Sequence, residues 1–141
     1  MTTPFGPQLI GETEKTLNAL LRRFLEPTDL GEPQWVTLRI ALACSDSIRD
    51  DAALAGAVRD RAHFADADRL VAELGERGLL DGGVPTQAGR DLVAGIQARI
   101  AEETRPIWEA LPPEELAATT RVLNEVLRRA RTVLARLDGD T

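Results

Sequence analysis

The chain has a single histidine, a single cysteine, one methionine, one lysine and no tyrosine. With His63 the only imidazole and Cys44 the only thiol, neither a His/Cys metal cluster nor a cysteine–histidine couple with a spare base can be assembled locally. One cysteine also excludes an internal disulfide and suits a reducing compartment. No apolar run approaches the ~20 residues that span a bilayer, and the opening MTTPFGPQ is polar and unlike a secretory leader. The sequence therefore predicts a cytoplasmic protein with no membrane partner. Also missing are G-x-S-x-G, a P-loop and a G-x-G-x-x-G between strand and helix. The acidic pairs Asp50-Asp51 and Asp66/Asp68 read most simply as helix caps and solvated first-turn charges. No catalytic residue, metal site or cofactor is assigned, although sequence alone does not exclude an enzyme built on this scaffold.

What is present is the composition of one globular domain. The 141 residues are 43% hydrophobic and 28% charged, enough to bury a core without covalent staples. Net charge is −6, and 16 of the 17 basic residues are arginine, Lys15 being the exception. Arginine suits bidentate phosphate or base contacts. The same bias is what a GC-rich genome alone would produce.

Taken in order, Met1–Pro7 reads as an extended arm and a helix follows from about Gln8 to Glu26, with Leu9, Ile10, Leu17, Leu20, Leu21, Phe24 and Leu25 as its apolar stripe. Glu26-Pro27 ends it. Pro33 suits the first turn of a second helix that carries Trp35, Leu38, Arg39, Leu42 and Ala43 and stops near Ser45. Ser47-Ile48-Arg49 is expected as a short strand, Asp50 or Asp51 as the cap of a third helix, and Arg59–Phe64 as a six-residue turn. A fourth helix over about Ala65–Arg77 is closed by Gly78, Gly82-Gly83 turns a very short hairpin, and Thr86 caps a long helix. Pro106 breaks that helix at Arg105-Pro106. After Pro112-Pro113 the last helix opens on Glu114 and Glu115. Its residues Leu116, Thr120, Leu123, Leu127, Ala130, Leu134 and Leu137 alternate steps of four and three, the beat of a coiled-coil-like seam.

The order "helix, L-x-x-x-G-L-L, hairpin, T-x-A-G-x-x-L", with Pro33–Arg39 upstream and Pro113–Leu116 downstream, resembles the multiple-antibiotic-resistance regulator (MarR) family over roughly residues 8 to 137. The resemblance implies a mainly α, winged helix-turn-helix protein. One MarR-like domain would fill residues 1–141. The segment at about 33–85 would be the winged helix-turn-helix; 8–26 and 86–137 would be the N- and C-terminal dimerisation helices of a homodimer. The hairpin would be a very short wing. By the same likeness, the helix from Ala65 lies in the major groove with its N-terminal residues toward the bases. Arg69 fits the family's pattern there, whereas Asp66 and Asp68 stand where small hydroxyl residues are usual and would at best accept from cytosine amino groups. Arg59, Arg61, Arg69 and Arg77 are the phosphate candidates, and each reads equally as a solvated helix charge.

Two features depart from the family. Between Asp46 and Asp91 there are ten acidic residues and six arginines, a net charge of −4 on the expected reading head. Only Asp81–Pro85 separate Leu80 from Thr86, so the wing is short and carries no arginine at its tip. The family's ligand crevice would draw on Trp35 and Arg39, four apart on the second helix, and on Asn18 and Arg22 of the first, to clasp an anionic aromatic compound. Trp35 as a core residue is the competing reading. The function expected is a MarR-type transcriptional regulator that binds double-stranded DNA and responds to a small aromatic or amphipathic ligand. The alternative is a protein of the same fold that has lost operator binding and binds, sequesters or converts a small molecule in the dimer crevice. A purely structural partner protein is the remaining possibility.

Overall fold

The computed structural model describes residues 2–139. The chain is mainly helical, 75% helix, with one two-stranded antiparallel sheet among the described residues. It forms two compact units, Met1–Glu103 and Thr104–Thr141.

The first unit opens with α1, Pro7–Leu25, which has proline in its first turn and runs on into a 3₁₀ turn at Glu26–Thr28. Pro27 thus tightens the chain before ending it, and Asp29 in the left-handed region (φ 58°) completes the reversal. Helix α2, Glu32–Ala43, starts after Gly31, whose N–H donates to the Gln34 side chain at 3.0 Å, half of a capping box. Helix α3, Asp51–Ala62, is capped by the Asp50 carboxylate, which accepts from Ala53 N at 2.8 Å. Helix α4, Ala67–Glu76, stops in a Schellman arrangement. Gly78 takes φ +75°, its N–H donates to Gly75 O at 3.0 Å, and Leu79 N donates to Leu74 O at 3.0 Å.

Strands β1 (Leu80–Asp81) and β2 (Val84–Pro85) pair Leu80 with Pro85 and Asp81 with Val84. Gly82 and Gly83 both have positive φ (59° and 80°), as the right-handed strand twist demands of a two-residue turn. In this register the Leu80–Pro85 pair is the one that exchanges no hydrogen bonds, so the missing proline N–H costs the ladder nothing. Beyond it, Thr86 N donates to Leu79 O at 3.0 Å. The Thr86 hydroxyl donates to Gly78 O (2.6 Å) and accepts from Gly89 N (3.1 Å), tying the end of α4 to the start of α5, Gln87–Glu103.

Helices α2, α3 and α4 pack on one another, with β2 and α5 against α2 and α1 against α5 and α2. Leu25, Trp35, Leu38, Leu54, Val58, Leu74 and Val93 fill the centre. In the second unit, α6 (Arg105–Trp108) is a single turn after the break at Thr104, and α7 runs for 27 residues over Pro113–Gly139. None of the described residues of α7 is buried.

Two local expectations are corrected. Ser47-Ile48-Arg49 forms no strand: Ser47 N and Ile48 N both donate to Cys44 O (2.9 and 3.0 Å), a tight turn off α2 that uses up their donors. Ile48 nevertheless lies against the hairpin, its Cγ2 2.9 Å from where a Gly83 side chain would begin. Nor is Arg59–Phe64 a six-residue turn. Helix α3 continues through Ala62, and the connection is His63–Asp66, with His63 in the left-handed region (φ 59°) as the cap. Helix α4 accordingly begins at Ala67, two residues later than the pattern predicted.

Among the described residues no helix is long and apolar enough to cross a membrane.

Candidate nucleic-acid interface

Helix α4 has two faces because its apolar residues fall at helical spacing. Ala67, Leu70, Val71 and Leu74 are buried against α2 and α3, which leaves Asp66, Asp68, Arg69, Ala72 and Glu76 toward solvent. Asp66 occupies the cap position without capping: no side-chain bond reaches the helix N–H groups. Its carboxylate is engaged by Arg69 instead, Nη2 to Oδ2 at 2.6 Å. Arg69 Nε also lies 3.4 Å from Glu73 Oε1. The other Glu73 oxygen accepts from Gln34 Nε2 of α2 at 2.9 Å. Gln34, Glu73, Arg69 and Asp66 therefore form one polar chain along the outer side of α4.

The remaining arginines divide sharply. Arg59 of α3 pairs with Asp68 at 3.1 Å and links the two helices. Arg77 donates to two backbone carbonyls of the α1–α2 connection, Asp29 O at 3.2 Å and Thr28 O at 3.1 Å. Arg61 is exposed and has no hydrogen-bond or ion-pair partner among the described residues. Of the four phosphate candidates, three are thus already occupied within the chain. The carboxylate pairs of Arg59 and Arg69 are solvent-exposed and worth about 0–1 kcal/mol each, so a phosphate or base edge can compete for these two, whereas Arg77 is held by backbone carbonyls. At the hairpin tip Gly82-Gly83 carries no cation, and Gly83 backs onto Asp50 O, 2.5 Å from an ideal Cβ position.

The candidate ligand residues differ in their surroundings. Trp35 is 2% exposed and belongs to the core, so its ring has no free face for a ligand to stack on. Arg39 of the same helix is exposed, as is Arg22 of α1, while Asn18 is half-buried. No side-chain hydrogen bond or ion pair joins any of the four among the described residues. No group of three or more His, Cys, Asp or Glu among the described residues could hold a metal ion.

Three contacts were not foreseen from sequence. The Gln34–Glu73 bridge and the Arg77 clasp join residues 39 and 48 or 49 apart, for which a single sequence gives no signal. Arg99 of α5 sits over the Phe24 ring of α1 at 5.5 Å, a cation–π contact between two neighbouring helices. One charged cluster has a resolved electrostatic signature. On α7, Arg128 and then Arg129 donate to Glu125 and pull its carboxyl from the usual 4.5 down to about 2.

Comparison of the chain with protein-family models, with curated proteins and with solved structures finds no match in any of the three.

Proposed function

We propose that this chain is a winged helix-turn-helix protein of the MarR type, a homodimer that binds duplex DNA to regulate transcription and answers to a small aromatic or amphipathic ligand. One observation carries the reading. Helices α2, α3 and α4 pack together with a two-residue hairpin directly after α4, and α4 keeps a polar outer face that holds Asp66, Asp68 and Arg69. That order and that free face are what insertion of a second helix into the major groove requires. Support for self-assembly comes from α7, where Leu116, Leu123, Leu127, Leu134 and Leu137 remain 38–54% exposed in a row of seam positions. An apolar stripe of that length on a soluble chain calls for a cover.

The test is a titration of native protein and Arg69→Ala against the duplex upstream of its own coding region and a scrambled duplex, at two salt concentrations. The native protein is expected to prefer the upstream duplex, with affinity falling steeply as salt rises, and Arg69→Ala to lose the preference. Failure to bind any upstream fragment at low salt would overturn the DNA-binding role.

A second reading is favoured by the charge arrangement. The head from Asp46 to Asp91 is net −4, Arg59 and Arg69 are paired with aspartates, and the hairpin tip has no cation. A protein of the same fold that has given up operator binding would tolerate all three. It would use the dimer crevice, with Arg22 and Arg39 as exposed cations, to bind, sequester or convert a small anion. A compound held by the native protein and lost in Arg39→Ala, alongside no duplex binding at low salt, would establish this second reading over the first.

A further inference from the structure

We infer that α4 reads G·C base pairs through a preassembled aspartate–arginine couple, Asp66–Arg69, and that the same aspartate suppresses binding to unselected duplex. The inference rests on the DNA-binding reading and names what that surface recognises. In the couple, Arg69 spends one Nη2 hydrogen on Asp66 Oδ2 at 2.6 Å and directs Nε toward Glu73 at 3.4 Å. Both Nη1 hydrogens remain, and Asp66 Oδ1 has no partner among the described residues. A free donor edge thus sits beside a free acceptor. Glu73 is itself held by Gln34 from α2, so the guanidinium is anchored from a second helix.

The major groove offers one good match to that pairing. Guanine alone presents two adjacent acceptors, O6 and N7, to a guanidinium, and its partner cytosine places an N4 amino donor beside them. Adenine gives a carboxylate a donor but gives arginine a single acceptor, and thymine gives a carboxylate nothing. The side chains of Arg69 and Asp66 are 69% and 45% exposed, so a base pair can reach the free donors and the free acceptor while the couple stays formed. Arg59–Asp68, at 3.1 Å, repeats the motif with its arginine on α3. Against plain phosphate the arrangement works in the opposite direction. A carboxylate at contact distance from a phosphate in water weakens binding about fivefold. Selectivity therefore comes with poor general affinity, in keeping with the net −4 of the region.

The experiment selects duplexes from a randomised library with the full native chain and with Asp66→Asn, then titrates selected and scrambled duplexes at low and moderate salt. Asp66 makes no cap bond and is exposed, so the substitution leaves α4 its start. The native protein is expected to enrich a half-site with a fixed G·C pair. Asp66→Asn is expected to lose the preference at that pair and to hold scrambled duplex about fivefold more tightly at low salt. Enrichment of sites without a fixed G·C pair, or unchanged selectivity in Asp66→Asn, would overturn this inference and leave the DNA-binding reading intact. No duplex retained by either protein at low salt would overturn both.

Discussion

Adding a methyl group at Gly89 drives it into the backbone of Leu79. Gly89 lies in the first turn of α5, buried, where an ideal Cβ would overlap Leu79 O and come 3.2 Å from Leu79 C. That carbonyl cannot step aside easily, because it accepts the Thr86 N–H at 3.0 Å and thereby joins the hairpin to the helix cap. Overpacking against rigid surroundings costs about 1–3 kcal/mol, and a backbone obstacle argues for the upper end. Alanine returns about 1 kcal/mol through its better helix propensity. Gly89→Ala should therefore lose about 2 kcal/mol net.

Gly95 supplies the internal control. It is in the same helix, is exposed, and has nothing within 4 Å of its ideal Cβ. Gly95→Ala receives the propensity term alone and should gain about 0.5–1 kcal/mol. With a urea slope of about 2 kcal/mol per molar, the Gly89→Ala midpoint should fall by about 1 M and the Gly95→Ala midpoint rise by about 0.3–0.5 M. Propensity cancels between the two, so the opposite signs isolate the close approach of α5 to Leu79. Two midpoints that both rise would refute it.

The same close approach marks how far the sequence is readable. Stops and starts that depend on one residue's backbone preference or one side-chain oxygen were legible: Gly78 closing α4, Gly82-Gly83 turning the hairpin, Asp50 and Thr86 as caps, and Pro106 breaking the chain after α5. These are local decisions, made within about four residues. At Ser47–Arg49 the strand expected from the winged-fold pattern gives way to a turn donated to Cys44 O, an outcome set by how α2 ends just before it. His63 hides the end of α3 for a related reason: histidine enters the left-handed region more readily than most non-glycine residues, but too seldom to mark a helix end in the sequence. The candidate site was the least legible. Composition gives the acidic surplus between Asp46 and Asp91, but not that Arg59, Arg69 and Arg77 find partners within the chain, which depends on how α3, α4 and the α1–α2 connection are juxtaposed. Trp35 and Arg39 are four apart in sequence, yet one is in the core and the other in water. Helical spacing gives proximity along a face, and it does not say where on that face the core ends.

Two predictions concern α7. Glu125 is held down to about 2 by Arg128 and Arg129, so its contribution is present above the usual 4.5 and disappears as pH falls through about 2. Helix content by circular dichroism should fall in that window for the native chain and stay flatter for Glu125→Gln; identical acid profiles would remove the cluster's role. The second prediction tests what covers the leucine seam. Leu123 and Leu127 are 38% and 46% exposed in the isolated chain. If water is their true environment, Leu→Asp at either position costs only helix propensity, about 0.5 kcal/mol, and changes nothing else. If a second copy covers them, each aspartate places a charge in an apolar interface at a cost of several kcal/mol, enough to abolish assembly at micromolar concentration. Sedimentation of native, Leu123→Asp and Leu127→Asp protein distinguishes the cases. A native dimer with both variants monomeric is the expected result. A native chain that is monomeric and stably folded at micromolar concentration, or variants that still pair, would show that the seam does not hold two chains together.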